Sequence, residues 1–430
     1  MDKIVIEGGR RLNGVVEISG SKNAALPIMA AAILTDEPVT IRCLPDLTDV
    51  RTMATILSEL GMETIWSDGG SALTLKTKDN TLCTAPYERV REMRGSICVL
   101  GPLLAKRQKA TVAMPGGCVI GLRPIDLHLM GLRALGASID TEHGNVVATA
   151  GRLKGTDIFL AGPNGPTVLG TANIMCAAAL AEGRTVIKEA ACEPEVQDLA
   201  RLLNKMGAKI TGIGTKELTI DGVEKLHGAD HELIPDRVEA GTYMAAAAIT
   251  GGSVELRNMR CSDLDAVMDH MQRMNVRITK LPDGCRVEPD GDLAPLNFAT
   301  APYPGFPTDM QAQLMALLTV AKGTSVITEK VYPDRFMHVA ELNRLGAKIH
   351  TQGNSAIVEG VESLSGAKVI ASDLRASAAL VIAGLVAQGH TEVKRVYHID
   401  RGYERIEEKL RALGARIHRE HDPEEKAPAK

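Results

Sequence analysis

Residues 404–415 read ERIEEKLRALGA, a helix with one apolar stripe that closes on Leu413-Gly414-Ala415. The same ending returns as Leu345-Gly346-Ala347, and the equivalent positions upstream are Gly61, Gly136, Gly207 and Asn275. Successive copies stand 75, 71, 68, 71 and 68 residues apart. Spacing this regular marks a repeat array, in which one unit alone cannot bury its apolar helix. Each copy holds a small-residue helix, a β-branched strand, a loop and then the amphipathic helix. Asn fits at 275 because it, too, tolerates a left-handed helix end.

The first helix of each copy is rich in Ala: Ala24 to Leu34, Ile97 to Ala105, Asn173 to Leu180, Gly241 to Ile249, Met310 to Leu318 and Ala376 to Val386. Helices that are apolar nearly all round belong inside. Each is followed by a Gly-containing turn and a short strand, EPVTI, KATVAM, GRTVI, GSVEL, GTSVI and GHTEV in order. At roughly 150 residues per domain a chain of this length suggests about three domains, but six units of ~70 residues fit better as two domains of three. The expected boundaries are 22–233 for the first domain and 1–21 with 234–420 for the second. The strand IVIEG near the start is assigned to the second, and 421–430 reads as a frayed tail.

The chain is 45% apolar and 24% charged, with one Trp, four Phe and six Tyr, so a soluble α/β core of Ala, Leu, Ile, Val and Met is expected. So few aromatics argue against base stacking on nucleic acid. A net charge of -4 gives no global pull toward nucleic acid or membrane, so an anionic ligand must be held by a local cluster. The opening MDKIVIEGGRRLNG lacks a signal-peptide core and no stretch reaches a membrane span, so a cytoplasmic location is expected. Eight scattered cysteines with no C-x-x-C pair point away from zinc and from a disulfide scaffold. No metal and no cofactor are expected, and the oligomeric state has no signature.

Polar residues gather where the helices begin. The first helices open near Lys22-Asn23, Arg94, Thr171, Asp236-Arg237, Asp309, and Asp373 with Arg375. The second helices add Arg123 before Pro124, Arg335 after Pro333-Asp334, and Arg401 after Asp400. Helix N-termini present unpaired N–H groups, and Arg and Lys beside them make a polyanion site. Any one of these residues is equally a cap or a surface ion pair; their recurrence favours the site. No P-loop or dinucleotide fingerprint is present, so phosphate would be held by side chains and helix ends. The run Pro115-Gly116-Gly117-Cys118 is a pliable loop before a helix, fit to be a lid, and its thiol is either structural or a proton donor. Asp309, within Phe306-Pro307-Thr308-Asp309-Met310-Gln311, is either a helix cap or the base that takes a hydroxyl proton.

The stretches GSKNAALPIMAA, MRGSICVLGPLLA, PGGCVIGLRPIDLH, IPDRVEAGT, FPTDMQAQ, DRFMHV, SDLRASAALV and YHIDRGYERIEEKLRALGA resemble, together and in order, the UDP-N-acetylglucosamine enolpyruvyl transferase family. The resemblance implies an inside-out α/β barrel in two three-unit domains with the active site in a cleft between them. It implies phosphoenolpyruvate and UDP-N-acetylglucosamine as substrates. The sugar 3-hydroxyl adds to C2 of phosphoenolpyruvate and phosphate is then eliminated. It makes Cys118 the proton donor and the thiol that fosfomycin alkylates, and gives Lys22, Arg123 and Arg401, beside Asn23, to phosphoenolpyruvate. It gives Arg94 and Arg123, Pro124, Ile125, Asp126 and Leu127 to the UDP-sugar, together with Asp309 and the backbone at Val331. Arg335, Asp373 and Arg375 would support closure and charge stabilisation. Where the family has a basic residue shortly before Ser-Val-Gly, this chain reads Pro163-Asn164-Gly165-Pro166-Thr167-Val168-Leu169-Gly170, so Thr167 and nearby backbone are left to donate to the diphosphate. The rivals are 5-enolpyruvylshikimate-3-phosphate synthase, which shares fold and chemistry, and a non-catalytic UDP-sugar-binding paralogue.

Overall fold

A computed structural model describes residues 2–114 and 124–422. The Gly-Gly-Cys loop with Cys118 and Arg123, and the tail from 423, lie outside the described residues. The chain forms two compact units, one running from Gly20 to Ile234 and the other built from the segment ending at Ser19 and the segment starting at Pro235.

The repeat is set by its helix ends. Gly61, Gly136, Gly207, Asn275, Gly346 and Gly414 all have positive φ, between 63° and 101°, a conformation Gly adopts without a Cβ penalty. At Gly136, Gly207, Gly346 and Gly414 the N–H bonds three residues back and the next N–H five back, as in Gly136 to Arg133 and Ala137 to Leu132. That double bond satisfies carbonyls the helix would otherwise leave open, and it turns the chain into a hairpin.

Each repeat then makes one four-stranded sheet. In the unit 20–234 the sheets run 229–232, 39–42, 72–77, 62–67; 84–85, 109–113, 145–149, 138–142; and 157–159, 184–188, 217–221, 209–211. In the other they run 13–17, 253–257, 284–289, 276–281; 298–299, 324–328, 355–359, 348–352; and 368–370, 390–394, 2–7, 416–421. The first strand of each set pairs parallel with the second and the rest are antiparallel. Each hairpin leads into the parallel edge strand of another sheet, and 217–221 leads to 229–232, which returns to the first sheet of its unit. Strands 2–7 and 13–17 do the same for the other unit, so the opening residues fill places that the preceding repeats fill from within.

The first helices are buried and the second are one-sided. All of Gln311–Leu318 and Leu374–Gly384 are buried, as are all but one residue of Lys22–Ala31. Small residues let such helices approach: a Cβ on Gly101 would stand 2.3 Å from the Asn173 carbonyl oxygen. The helices differ from expectation mainly at their starts. Arg94–Val99 and Thr308–Met310 are 3-10 turns that precede the α-helices Leu100–Arg107 and Gln311–Leu318. Thr171 does not open its helix, which runs Val168–Ala179 with Thr167 as the cap. Arg335 and Arg401 lie before their second helices, which start at His338 and Ile406.

Candidate active site

In the unit that contains Pro235 onward, three nominated residues from two successive repeats meet. Asp309 Oδ1 accepts from Arg335 Nη1 at 2.8 Å, and its Oδ2 accepts from Arg375 Nε and Nη2 at 3.2 and 3.1 Å. Asp309 makes no helix cap; its carboxylate is spent on the two guanidiniums instead. Burial pushes the Asp309 carboxyl up, but Arg375 and Arg335 outweigh it and hold it well below the usual carboxylate range. It is therefore ionised at any working pH and, while both arginines hold it, a weak proton acceptor. Burial works against the charge of Arg375, yet Tyr403, Asp309 and Asp236 more than offset it, and the guanidinium carbon lies 5.5 Å from the Tyr403 ring centre.

The other two aspartates with the same sequence context behave differently. Asp373 Oδ1 accepts from the Arg375 and Ala376 N–H groups at 2.9 and 3.2 Å. Asp236 Oδ1 accepts from Val238 and Glu239 at 2.8 and 3.0 Å. Both cap buried helices, so Asp373 positions Arg375 through its backbone.

Arg401 closes the 3-10 turn Val396–Arg401. Its neighbour Asp400 gives both oxygens to Arg419, at 2.6 and 2.9 Å. The turn is thereby tied to strand 416–421 by a bidentate pair. Arg401 stands near enough to His398 that, after burial, its charge helps to lower that imidazole's pKa.

In the unit 20–234, Lys22 is the first residue of Lys22–Ala31, whose cap is Ser21 Oγ accepting from Ala24 N. Its Nζ lies 3.0 Å from Asp49 Oδ2, with side chains only 10% and 4% exposed. Asn23 follows it, half-buried. Arg94 Nη2 donates to the Pro124 carbonyl at 3.3 Å, which brings two nominated segments together. Ile125 is buried, and Asp126 and Leu127 begin the helix Asp126–Ala134. Thr167 Oγ1 is occupied as a cap, accepting from Gly170 N at 3.2 Å; its hydroxyl proton is what it can offer an oxyanion.

Asp49, Thr308, Gln313, Glu329 and Tyr403 escaped the sequence reading. Gln313 Nε2 donates to the Asp309 carbonyl at 2.9 Å and reaches Tyr403 Oη and Thr242 Oγ1, each at 3.2 Å. Asp49, an acid in the first turn of Thr48–Glu59, carries no signal beyond that of an ordinary helix start. Among the described residues no group of His, Cys, Asp or Glu is arranged to hold a metal, and no helix is long and apolar enough to cross a membrane. Cys98 and Cys176 are core thiols, Cys98 being pushed up to about 12 by burial.

The family model for EPSP synthase (3-phosphoshikimate 1-carboxyvinyltransferase) matches residues 6–410. UDP-N-acetylglucosamine 1-carboxyvinyltransferase 2 of Carboxydothermus hydrogenoformans is 54% identical over 424 residues, 98% of this chain and 100% of that protein. The UDP-N-acetylglucosamine 1-carboxyvinyltransferase of Methylacidiphilum infernorum is 53% identical over 420 residues, 97% and 99% of the two chains. Among solved structures, the enolpyruvyl transferase NikO of Streptomyces tendae superposes with a TM-score of 0.87 at 26% identity, covering 98% of this chain and 99% of that one. Identity above one half along essentially the whole length places this chain in the UDP-N-acetylglucosamine 1-carboxyvinyltransferase family, within the broader EPSP synthase group of enolpyruvyl transferases.

Proposed function

We propose that the protein transfers the enolpyruvyl group of phosphoenolpyruvate to the 3-hydroxyl of UDP-N-acetylglucosamine with release of phosphate, the first committed step of peptidoglycan synthesis in the cytoplasm. The observation that carries this reading is the full-length identity of 53–54% to proteins of that name. Shikimate-3-phosphate is the weaker acceptor on the same ground. Each unit is read as an inside-out α/β barrel, which is supported by its buried first helices and by strands that alternate buried and exposed residues.

In this reading the sugar hydroxyl oxygen bonds to C2 of phosphoenolpyruvate while C3 takes the proton of Cys118. The resulting tetrahedral ketal then loses a C3 proton and breaks its C2–phosphate bond. Lys22, Arg123 and Arg401, with Asn23 beside them, hold the phosphate and carboxylate of phosphoenolpyruvate; a guanidinium fork matches both. Arg94, Pro124, Ile125, Asp126, Leu127 and Thr167 take the nucleotide. Asp309 and Val331 take the sugar. Asp309 is ionised and paired to two cations, so it holds a hydroxyl by accepting its hydrogen bond. It takes the hydroxyl proton during the addition, becoming a competent base as the arginines are drawn toward the bound phosphoenolpyruvate anion. The Val331 N–H is donated to Glu329, so its contact with a sugar hydroxyl is through the carbonyl.

Purified protein given both substrates should release one phosphate per sugar consumed; release only with shikimate-3-phosphate would reassign the acceptor. Cys118→Ser should lose covalent fosfomycin labelling, read as the absent mass increment. Labelling that persists in the variant would move the nucleophile elsewhere.

A further inference from the structure

We propose that Glu329 is a positioning residue for the acceptor-sugar site, a role that rests on the assignment of Asp309 and Val331 to the sugar. Glu329 follows strand Thr324–Thr328 and is fully buried. Its Oε1 accepts from Val331 N at 2.9 Å, Tyr332 N at 3.0 Å and Thr300 Oγ1. Its Oε2 accepts from Thr308 Oγ1 at 2.9 Å. All four donors are neutral N–H and O–H groups, and both carboxyl oxygens act as acceptors.

One side chain thus holds two segments that the chain separates, the turn at 308–309 and the turn at 331–335. Thr308 gives its hydroxyl proton to Glu329, and this leaves its oxygen to accept from Arg335 Nη1 at 3.0 Å. The same Nη1 donates to Asp309 Oδ1 at 2.8 Å. The direction of hydrogen bonding therefore runs from Arg335 to Thr308 to Glu329, and it sets where the Asp309 carboxylate lies. The other oxygen draws the 331–332 N–H groups inward, which orients the Val331 carbonyl.

This pattern requires two acceptor oxygens. Glutamine has the same shape and one acceptor. If its oxygen faces Val331, Tyr332 and Thr300, its amide donates to Thr308, whose hydroxyl proton then loses the acceptor that Glu329 Oε2 gave it. If it faces Thr308, three donors meet an amide donor. Either way a buried polar group is left unmatched.

Steady-state kinetics of the full-length chain test this, varying each substrate in turn. Glu329→Gln should lower kcat/KM for UDP-N-acetylglucosamine by about 10- to 100-fold, the scale of losing one or two matched hydrogen bonds. The half-saturating phosphoenolpyruvate concentration should move less than threefold. Thr308→Val, which removes only the hydroxyl relay, should lose about 10-fold on the same substrate with unchanged circular dichroism, and it serves if Glu329→Gln does not fold. The double variant should be no worse than Glu329→Gln alone, since the two act through one relay. A folded Thr308→Val with wild-type kinetics, or equal losses for both substrates, would overturn the proposal. A wild-type protein that releases no phosphate from this substrate pair would instead overturn the underlying sugar assignment, and the proposal with it.

Discussion

Asp309→Ala should abolish measurable turnover and destabilise the unit that carries it. The substitution leaves two guanidiniums, 7% and 3% exposed, side by side without the carboxylate that pairs them both. Removing one partner of a buried ion pair costs roughly 3–5 kcal/mol. Asp309 itself keeps 30% of its side-chain exposure, and access to water puts the cost at the lower end, about 3 kcal/mol. For a unit of about 200 residues that is a fall in melting temperature of roughly 6–12 °C. Asp309→Asn keeps the shape and one acceptor, so it should melt higher than the Ala variant while remaining nearly as inactive. The two freed guanidiniums also form an anion site, so inorganic phosphate should raise the melting temperature of the Ala variant more than that of the wild type. Melting curves with and without phosphate decide the matter. A variant that melts with the wild type and ignores phosphate would show that the pairing contributes nothing. Because the Asp309 pKa is depressed, its contribution is complete above the unfolded value near pH 4 and is lost as pH falls through its lower folded value.

Acid should weaken both units at a higher pH than that, and for a different reason. Each buries an imidazole that burial disfavours in its charged form. His128 is pushed down to about 3 by burial and then by Arg94. His338 is pushed down to about 4 by burial, with Asp373 opposing and Arg335 adding to the fall. An unfolded His takes up its proton near pH 6.5. Below that value the unfolded chain binds a proton that the folded chain refuses, so stability drops as pH falls, by about 1.4 kcal/mol per pH unit for each His. The loss is absent above about pH 6.5 and reaches about 3 kcal/mol per unit at pH 4. It continues to about pH 3 for His128 alone. Urea unfolding at pH 7, 5.5 and 4.5 should show this slope, and His128→Gln and His338→Gln should each flatten it for one unit. Equal slopes in wild type and both variants would mean these imidazoles are not the acid-sensitive groups.

The repeat was readable because its signals are local. A residue after Leu or Met that must take positive φ is nearly always Gly, and the Schellman bonds at Gly136 or Gly414 need only the preceding turn. The Ala-rich helices were equally plain, since burial on every side excludes charge. Their first turns were not: Arg94–Val99 and Thr308–Met310 tighten into 3-10 geometry through contacts that local pattern does not encode.

The aspartates mark the same boundary. Asp236, Asp309 and Asp373 all stand at the start of a small-residue helix, and the sequence leaves the same ambiguity, cap or functional carboxylate, at all three. Two are caps; the third faces Arg335 and Arg375, which are 26 and 66 residues away. Glu329 was invisible because its importance lies in four donors brought to it by folding. Composition, repeat period and helix-end residues, all of which act within one or two turns, are determined by the sequence alone. Which charge meets which, and so which carboxylate is a cap, a clamp or a scaffold, is decided by tertiary structure, because Coulomb and hydrogen-bond energies depend on distances that only the folded chain defines.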